Sequence, residues 1–234
     1  MSNVTHETDD EVHSTPYQRL LCATDTHISV WQLHPLEWLA DIDNVEPALT
    51  YADFGGDMDE VVVGHSWNTK ITIFNLRVGR SQIIKSSKLS NTNGYGYRPR
   101  TNQLAILLKP EVNDLLTIHE PRTYELITRV TLPTTDAQGL KWSPDGRWIA
   151  VWEAASAGTK VLIYTPEGQL FRTYCGPPGY DSTYDLGVRT IEWSSARHPM
   201  PVSDYLAVGK FDGSVDILNS KTVSNLHVLR ICLD

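Results

Sequence analysis

Gly139-Leu-Lys-Trp-Ser-Pro-Asp-Gly-Arg-Trp-Ile-Ala-Val-Trp152 reads as strand, turn, strand. Pro144 fixes φ, Asp145 offers a side-chain acceptor to its own turn, and Gly146 accepts positive φ. The second strand runs from Trp148 to Trp152. A third follows at Lys160-Val-Leu-Ile-Tyr164, then the turn Pro166-Glu-Gly168, then a fourth strand from Gln169 to Tyr174. Four short strands joined by tight turns form an antiparallel meander, the unit of a β-propeller blade.

The same pattern recurs in other words. Upstream, Leu49–Phe54, Glu60–Gly64, Lys70–Leu76 and Arg80–Ile84 form one set, and Tyr95–Tyr97, Gln103–Leu108, Asp114–Ile118 and Tyr124–Val130 the next. Downstream lie Gly187–Trp193, Asp204–Gly209, Ser214–Leu218 and Leu226–Ile231, with Asp212-Gly213 as a hairpin turn. Near the start, Leu20–Thr24, Ile28–Leu33 and Glu37–Ile42 make three strands with no convincing strand ahead of them. The strands are rich in Val, Ile, Thr and aromatics, and no 3.6-residue stripe persists long enough for a helix.

WD-type repeats end their third strand in a Trp-Asp pair. The corresponding pairs are Trp31-Gln32, Phe74-Asn75, His119-Glu120, Tyr164-Thr165 and Leu218-Asn219. Their first members lie 43, 45, 45 and 54 residues apart, and the long interval holds the insertions 177–185 and 197–201. The expected fold is all-β: an incomplete WD-repeat β-propeller of about four full four-stranded blades plus a partial first blade. The blades fall near 18–45, 46–87, 92–132, 137–175 and 187–232, behind a polar, disordered lead-in over 1–17. Such a set leaves sheet faces and edges open, so the chain is expected to be a piece of a larger propeller rather than one that borrows blades. Alone, it is expected to be poorly stable and prone to associate.

Composition bounds the function. Of 234 residues, 41% are hydrophobic and 21% charged, a globular balance. A net charge of −8 argues against a nucleic-acid-binding domain. No apolar run approaches the ~18 residues of a membrane helix, and the acidic Met1–Glu11 stretch does not resemble a secretory signal. Cys22, Cys175 and Cys232 are odd in number and far apart, which suggests a reducing, intracellular compartment and no metal pair.

Catalytic patterns are weak. The carboxylates Asp57, Asp59 and Glu60, like Asp181 and Asp185, lie between strands and read as solvated turns. His65 and His119 lack metal-ligand spacing and read as packed or hydrogen-bonded. No nucleophile elbow occurs, and no helix follows the Gly-rich loops to bind a phosphate. The expectation is therefore a chain that is not an enzyme and carries neither cofactor nor metal. Trp142 and Trp193 occupy matching places in successive blades and should be core. Two loop clusters are the candidate interaction residues: Tyr95 and Tyr97 with Arg98 and Arg100, and Tyr180 with Tyr184. Tyr and Arg are enriched at hot spots, although Tyr97 could equally face a neighbouring blade.

From Gly139 to Asn219 the wording resembles one family. Trp142-Ser-Pro-Asp-Gly146, Ile149-Ala-Val-Trp152, Val161-Leu-Ile-Tyr164, Gly187-Val-Arg-Thr-Ile-Glu-Trp-Ser194, Leu206-Ala-Val-Gly209 and Asp212-Gly-Ser-Val215 are similar to the WD-repeat protein eight family, the centrosomal and spindle-pole WD-repeat proteins. The likeness extends over roughly residues 18–230. Within it Trp142, Pro144, Asp145, Gly146, Trp152, Tyr164, Trp193, Asp212 and Gly213 are signature positions of structural character. Family members carry further blades on both sides. The resemblance implies a cytoplasmic scaffold at the centrosome or spindle pole body. It implies a coiled-coil anchoring partner and in yeasts a minus-end-directed kinesin, with a role in anchoring microtubule minus ends and organising the mitotic spindle. The alternative is a substrate-receptor or adaptor subunit of another complex, such as a ubiquitin ligase.

Overall fold

The computed structural model describes residues 18–43, 49–66, 69–177, 185–195, 205–219 and, for the backbone, 225–230. The expected lead-in over 1–17 lies outside these residues. Five antiparallel sheets follow one another along the chain. The first has three strands, β1 (Arg19–Ala23), β2 (His27–Leu33) and β3 (Leu36–Asp43). The second contains β4 (Leu49–Phe54), β5 (Glu60–His65), β6 (Lys70–Asn75) and β7 (Arg80–Lys85). The third contains β8 (Tyr95–Tyr97), β9 (Leu104–Leu108), β10 (Leu115–His119) and β11 (Leu126–Thr131). The fourth contains β12 (Ala137–Trp142), β13 (Ile149–Glu153), β14 (Val161–Tyr164) and β15 (Leu170–Tyr174). The fifth contains β16 (Val188–Trp193), β17 (Tyr205–Lys210), β18 (Ser214–Asn219) and β19 (Asn225–Arg230). Each is a meander in sequence order, the topology of an incomplete WD-repeat propeller.

The second strand of each inner sheet explains why its sequence reads as an unbroken apolar run. Successive side chains on a strand point to opposite faces, and here both faces are covered. Val61 and Val63 pack towards the first sheet, while Val62 packs towards the third. Leu104 and Ile106 face the second sheet, and Ala105 and Leu107 face the fourth. Ile149 and Val151 face the third sheet, and Ala150 and Trp152 face the fifth. The core is thus a series of slabs between neighbouring sheets. On the two end sheets one face lacks cover among the described residues: Leu20 and Trp38 are exposed on the first, and Ala207 and Gly209 are half-exposed on the fifth.

The first strand of each four-stranded sheet ends on an aromatic residue at the same register. Phe54 pairs with Val61, Tyr97 with Leu104, Trp142 with Ile149 and Trp193 with Leu206. Trp142 and Trp193 are buried, as their matching places in the sequence suggested. Gly139 pairs with Trp152, and a Cβ on it would sit 2.1 Å from that indole. Only a bare backbone lets the ring lie across the strand.

The turn after β12 is built as its residues dictate. Asp145 Oδ1 accepts from Ser143 Oγ at 2.6 Å and from Arg147 N at 3.0 Å, and Gly146 adopts φ 71°. Asp212 plays the same part before β18, accepting from Ser214 N and Oγ, with Gly213 at φ 81°. Tyr164, at the end of β14, is fully buried.

Carboxylates tie the links between sheets to the turns beside them. Asp114, wholly buried, accepts from Ala137 N at 2.6 Å, Thr134 Oγ1 at 3.0 Å and Lys88 Nζ at 2.6 Å. Burial opposes its ionisation, but these donors outweigh it and hold the carboxyl below the ordinary carboxylate range. Glu153 accepts from the backbone of Thr135 and Asp136, and Asp185 from Thr159 and Gly187. Asp185 is therefore a clamp and not a solvated turn residue, while Asp181 lies outside the described residues.

Candidate interaction surface

At one end of the sheet stack, three turns converge between the second and third sheets. They are Gly55–Asp59, joining β4 to β5; Arg98–Gln103, joining β8 to β9; and Glu120–Glu125, joining β10 to β11. Two cavities lie there, of about 290 Å³ and about 180 Å³, and they share Glu60 and Arg122 as walls. Asp57, Arg100 and Asn102 complete the larger one, while Arg80, Val78 and Tyr124 line the smaller.

Backbone hydrogen bonds set the turn shapes. Asn102 N donates to Arg98 O at 2.9 Å, and Tyr124 N donates to Glu120 O at 3.1 Å. Closing these turns places Arg100, Asn102, Arg122 and Tyr124 at φ 72°, 58°, 65° and 54°. That is the left-handed region, which costs a side-chain-bearing residue about 1–2 kcal/mol. Ser86 is the other such residue among those described, so four of the five gather on this cleft. Strained backbone collects where surrounding structure holds it for a purpose, typically at ligand clamps. Gly56 makes the approach of the two sheets possible: a Cβ there would lie 3.0 Å from the Tyr97 ring and 3.1 Å from Asn102 Cβ.

Beneath the cleft runs a buried hydroxyl–carboxylate chain. Tyr124 donates its hydroxyl to Glu60 Oε2 at 2.5 Å, and Tyr97 and Tyr124 hydroxyls lie 3.1 Å apart. Glu60 is only 2% exposed. Burial raises its carboxyl above the ordinary range, against the Tyr124 hydrogen bond that pulls the other way. Burial likewise raises the Tyr97 and Tyr124 hydroxyls, so both stay neutral. The reading of Asp59 and Glu60 as solvated turn carboxylates is thus corrected, while Asp57 keeps its place in the turn. Glu60 is sealed by the neighbouring sheet, and Asp59 ion-pairs with Arg19 at 2.6 Å and Arg77 at 2.5 Å. Asp57 accepts from Asp59 N at 2.8 Å and faces Arg122 Nε at 3.9 Å.

The sequence-derived interaction cluster divides. Tyr95 is a core residue, 8% exposed and stacked on Tyr51 at 5.7 Å, because β8 turns it into the slab between sheets two and three. Tyr97 is half-buried and faces the neighbouring sheet, the alternative its strand position left open. Arg98 is a staple: its Nε donates to Gly146 O at 2.8 Å, its guanidinium meets Gln103 Oε1 at 2.8 Å, and it lies 5.6 Å from the Trp142 ring centre. Arg100 alone of the four stands exposed on the cleft. Tyr180 and Tyr184 lie outside the described residues. Arg122 and Asn102 were not singled out by sequence, since neither residue type signals a left-handed turn by itself. His119 is buried and hydrogen-bonded through both ring nitrogens, to Tyr124 O at 2.9 Å and Thr117 Oγ1 at 3.1 Å, and burial lowers its basicity.

No helix among the described residues is long and apolar enough to cross a membrane. Among those residues no group of three or more His, Cys, Asp or Glu is placed to hold a metal ion.

No family model matches the chain. It is 27% identical over 205 residues to the WD repeat-containing protein WRAP73 of Mus musculus, a match covering 87% of this chain and 42% of that protein. It is 28% identical over 177 residues to an uncharacterized WD repeat-containing protein of Schizosaccharomyces pombe, covering 74% of this chain and 34% of that one. The chain therefore spans less than half the length of either relative. Both are WD repeat-containing proteins, in keeping with the sheets described above, and this supports a protein-interaction scaffold in general terms.

Proposed function

We propose that this WD-repeat chain is a non-enzymatic scaffold of the centrosome or spindle pole body, where it helps anchor microtubule minus ends and organise the mitotic spindle. The observation that carries the scaffold reading is the stack of five meanders stapled sheet to sheet, which presents turns on a rigid frame. Loops on such a frame commonly carry binding. The pole-specific part rests on the resemblance of the 139–219 segment to the centrosomal and spindle-pole WD-repeat proteins. On this reading its partner is a coiled-coil anchoring protein, with a minus-end-directed kinesin joining in yeasts.

The test is affinity capture of the tagged full chain from mitotic cells, together with imaging. Recovery of a coiled-coil pole component and a signal at the poles is the expected result. Recovery of ubiquitin-ligase adaptors with a diffuse mitotic signal would overturn the pole assignment in favour of a substrate-receptor role.

A further inference from the structure

We infer that the cleft between the second and third sheets binds an acidic peptide segment, gripping an oxyanion, carboxylate or phosphoryl, with Arg100 and Arg122. Each guanidinium carries five N–H donors and no acceptor. Arg100 makes no hydrogen bond or ion pair among the described residues. Arg122 is 81% exposed and has only the 3.9 Å approach to Asp57. The acids of the cleft are already engaged. Glu60 is buried and accepts from Tyr124, while Asp57 accepts from Asp59 N and faces Arg122. What the cleft lacks is an acceptor, and charged planar acceptors match the guanidinium fork best.

Two further observations point the same way. Both arginines are held in left-handed backbone, at φ 72° and 65°, on turns fixed by internal hydrogen bonds. The backbone from which both side chains project is thus fixed in advance, which removes the loop-ordering part of the cost of binding. The ligand class also follows from charge. Net charge is −8, and Asp57 stands inside the cleft, so a polyphosphate backbone meets repulsion that a single acidic side chain on a peptide avoids. The inference concerns this surface alone and stands whether or not the protein resides at a spindle pole.

The experiment measures fluorescence anisotropy of a labelled peptide bearing one glutamate among neutral residues, the same peptide with phosphoserine in place of the glutamate, an uncharged version and a single-stranded oligonucleotide against the full chain. The expected result is salt-sensitive binding of the two acidic peptides only. Arg100→Gln combined with Arg122→Gln should weaken it by at least about tenfold, with an unchanged thermal melt. Lys85→Gln, at the far end of β7, should leave it unchanged. Whichever acidic peptide binds more tightly identifies the source of the oxyanion, and competition by inorganic phosphate supports an oxyanion as the group the cleft grips. Equal binding of the uncharged peptide or the oligonucleotide, or full binding by the double variant, would overturn the inference.

Discussion

Trp193 donates its indole N–H to the backbone carbonyl of Lys141 at 3.1 Å, from the end of one innermost strand to the next. One sheet earlier, Trp142 does the same to Gly96 at 3.0 Å. The two aromatics therefore act twice, filling the slab between sheets and tying one first strand to its predecessor. Trp142→Ala should cost about 3–5 kcal/mol, most of it packing. Trp142→Phe, which keeps much of the bulk and loses the donor, should cost less, about 1 kcal/mol from the hydrogen bond. Denaturant unfolding of both variants separates the contributions, and equal losses would refute the dual role.

Arg98 and Arg100 are two residues apart but should behave oppositely. Arg98→Ala removes the Gly146 and Gln103 bonds and the contact with Trp142. It should destabilise the fold by about 1.5–3 kcal/mol and leave acidic-peptide binding intact once folded. Arg100→Ala should leave the melting temperature alone and weaken binding. Paired melts and anisotropy titrations decide the matter.

Acid should unfold the protein through a specific set of carboxylates. Asp114, Asp145 and Glu153 are all held below their ordinary range by hydrogen bonds and cations that outweigh their burial. A depressed folded-state pKa contributes stability that is present above the unfolded value, about 3.9 for Asp and 4.3 for Glu, and is lost as pH falls through the folded value. Wild type should thus lose stability below about pH 4. Asp114→Asn should flatten that limb while costing about 3–5 kcal/mol at pH 7, because Lys88 keeps only Asp136. An acid limb as steep as wild type in this variant would refute the assignment to Asp114.

Glu60 should work in the other direction. Its folded-state pKa is raised, chiefly by burial. A raised carboxyl contributes stability that is complete below the unfolded value, about 4.3, and is lost as pH rises through the folded value. Glu60→Gln keeps an acceptor for Tyr124 and removes the buried charge. The variant should melt higher than wild type at pH 7 and level with it at pH 3, a convergence that a pH series of thermal melts reveals.

Relief of strain on the cleft is measurable as well. Arg122→Gly removes the left-handed penalty but adds entropy to the unfolded chain, for a net gain of about 0.5–1 kcal/mol. Binding of an acidic peptide should weaken in the same variant. A loss of both stability and binding would show that the arginine side chain holds the turn together.

The strand pattern was legible because it is local. Alternation, β-branched residues and Asp-Gly turns act within a hairpin of a dozen residues, and they set the strand order within each sheet without reference to the rest. The three early strands were legible too, and they form β1 to β3 of the first sheet among the described residues. The cleft was not. Tyr124 and Glu60 are 64 positions apart, and their hydrogen bond exists only once the third sheet has packed on the second. Whether Tyr95 points to solvent or core, and whether Arg98 or Arg100 is free, turns on the same packing. Residue type alone cannot assign these roles, because an arginine beside a turn has the same local preferences whether a neighbouring sheet meets it or leaves it in water.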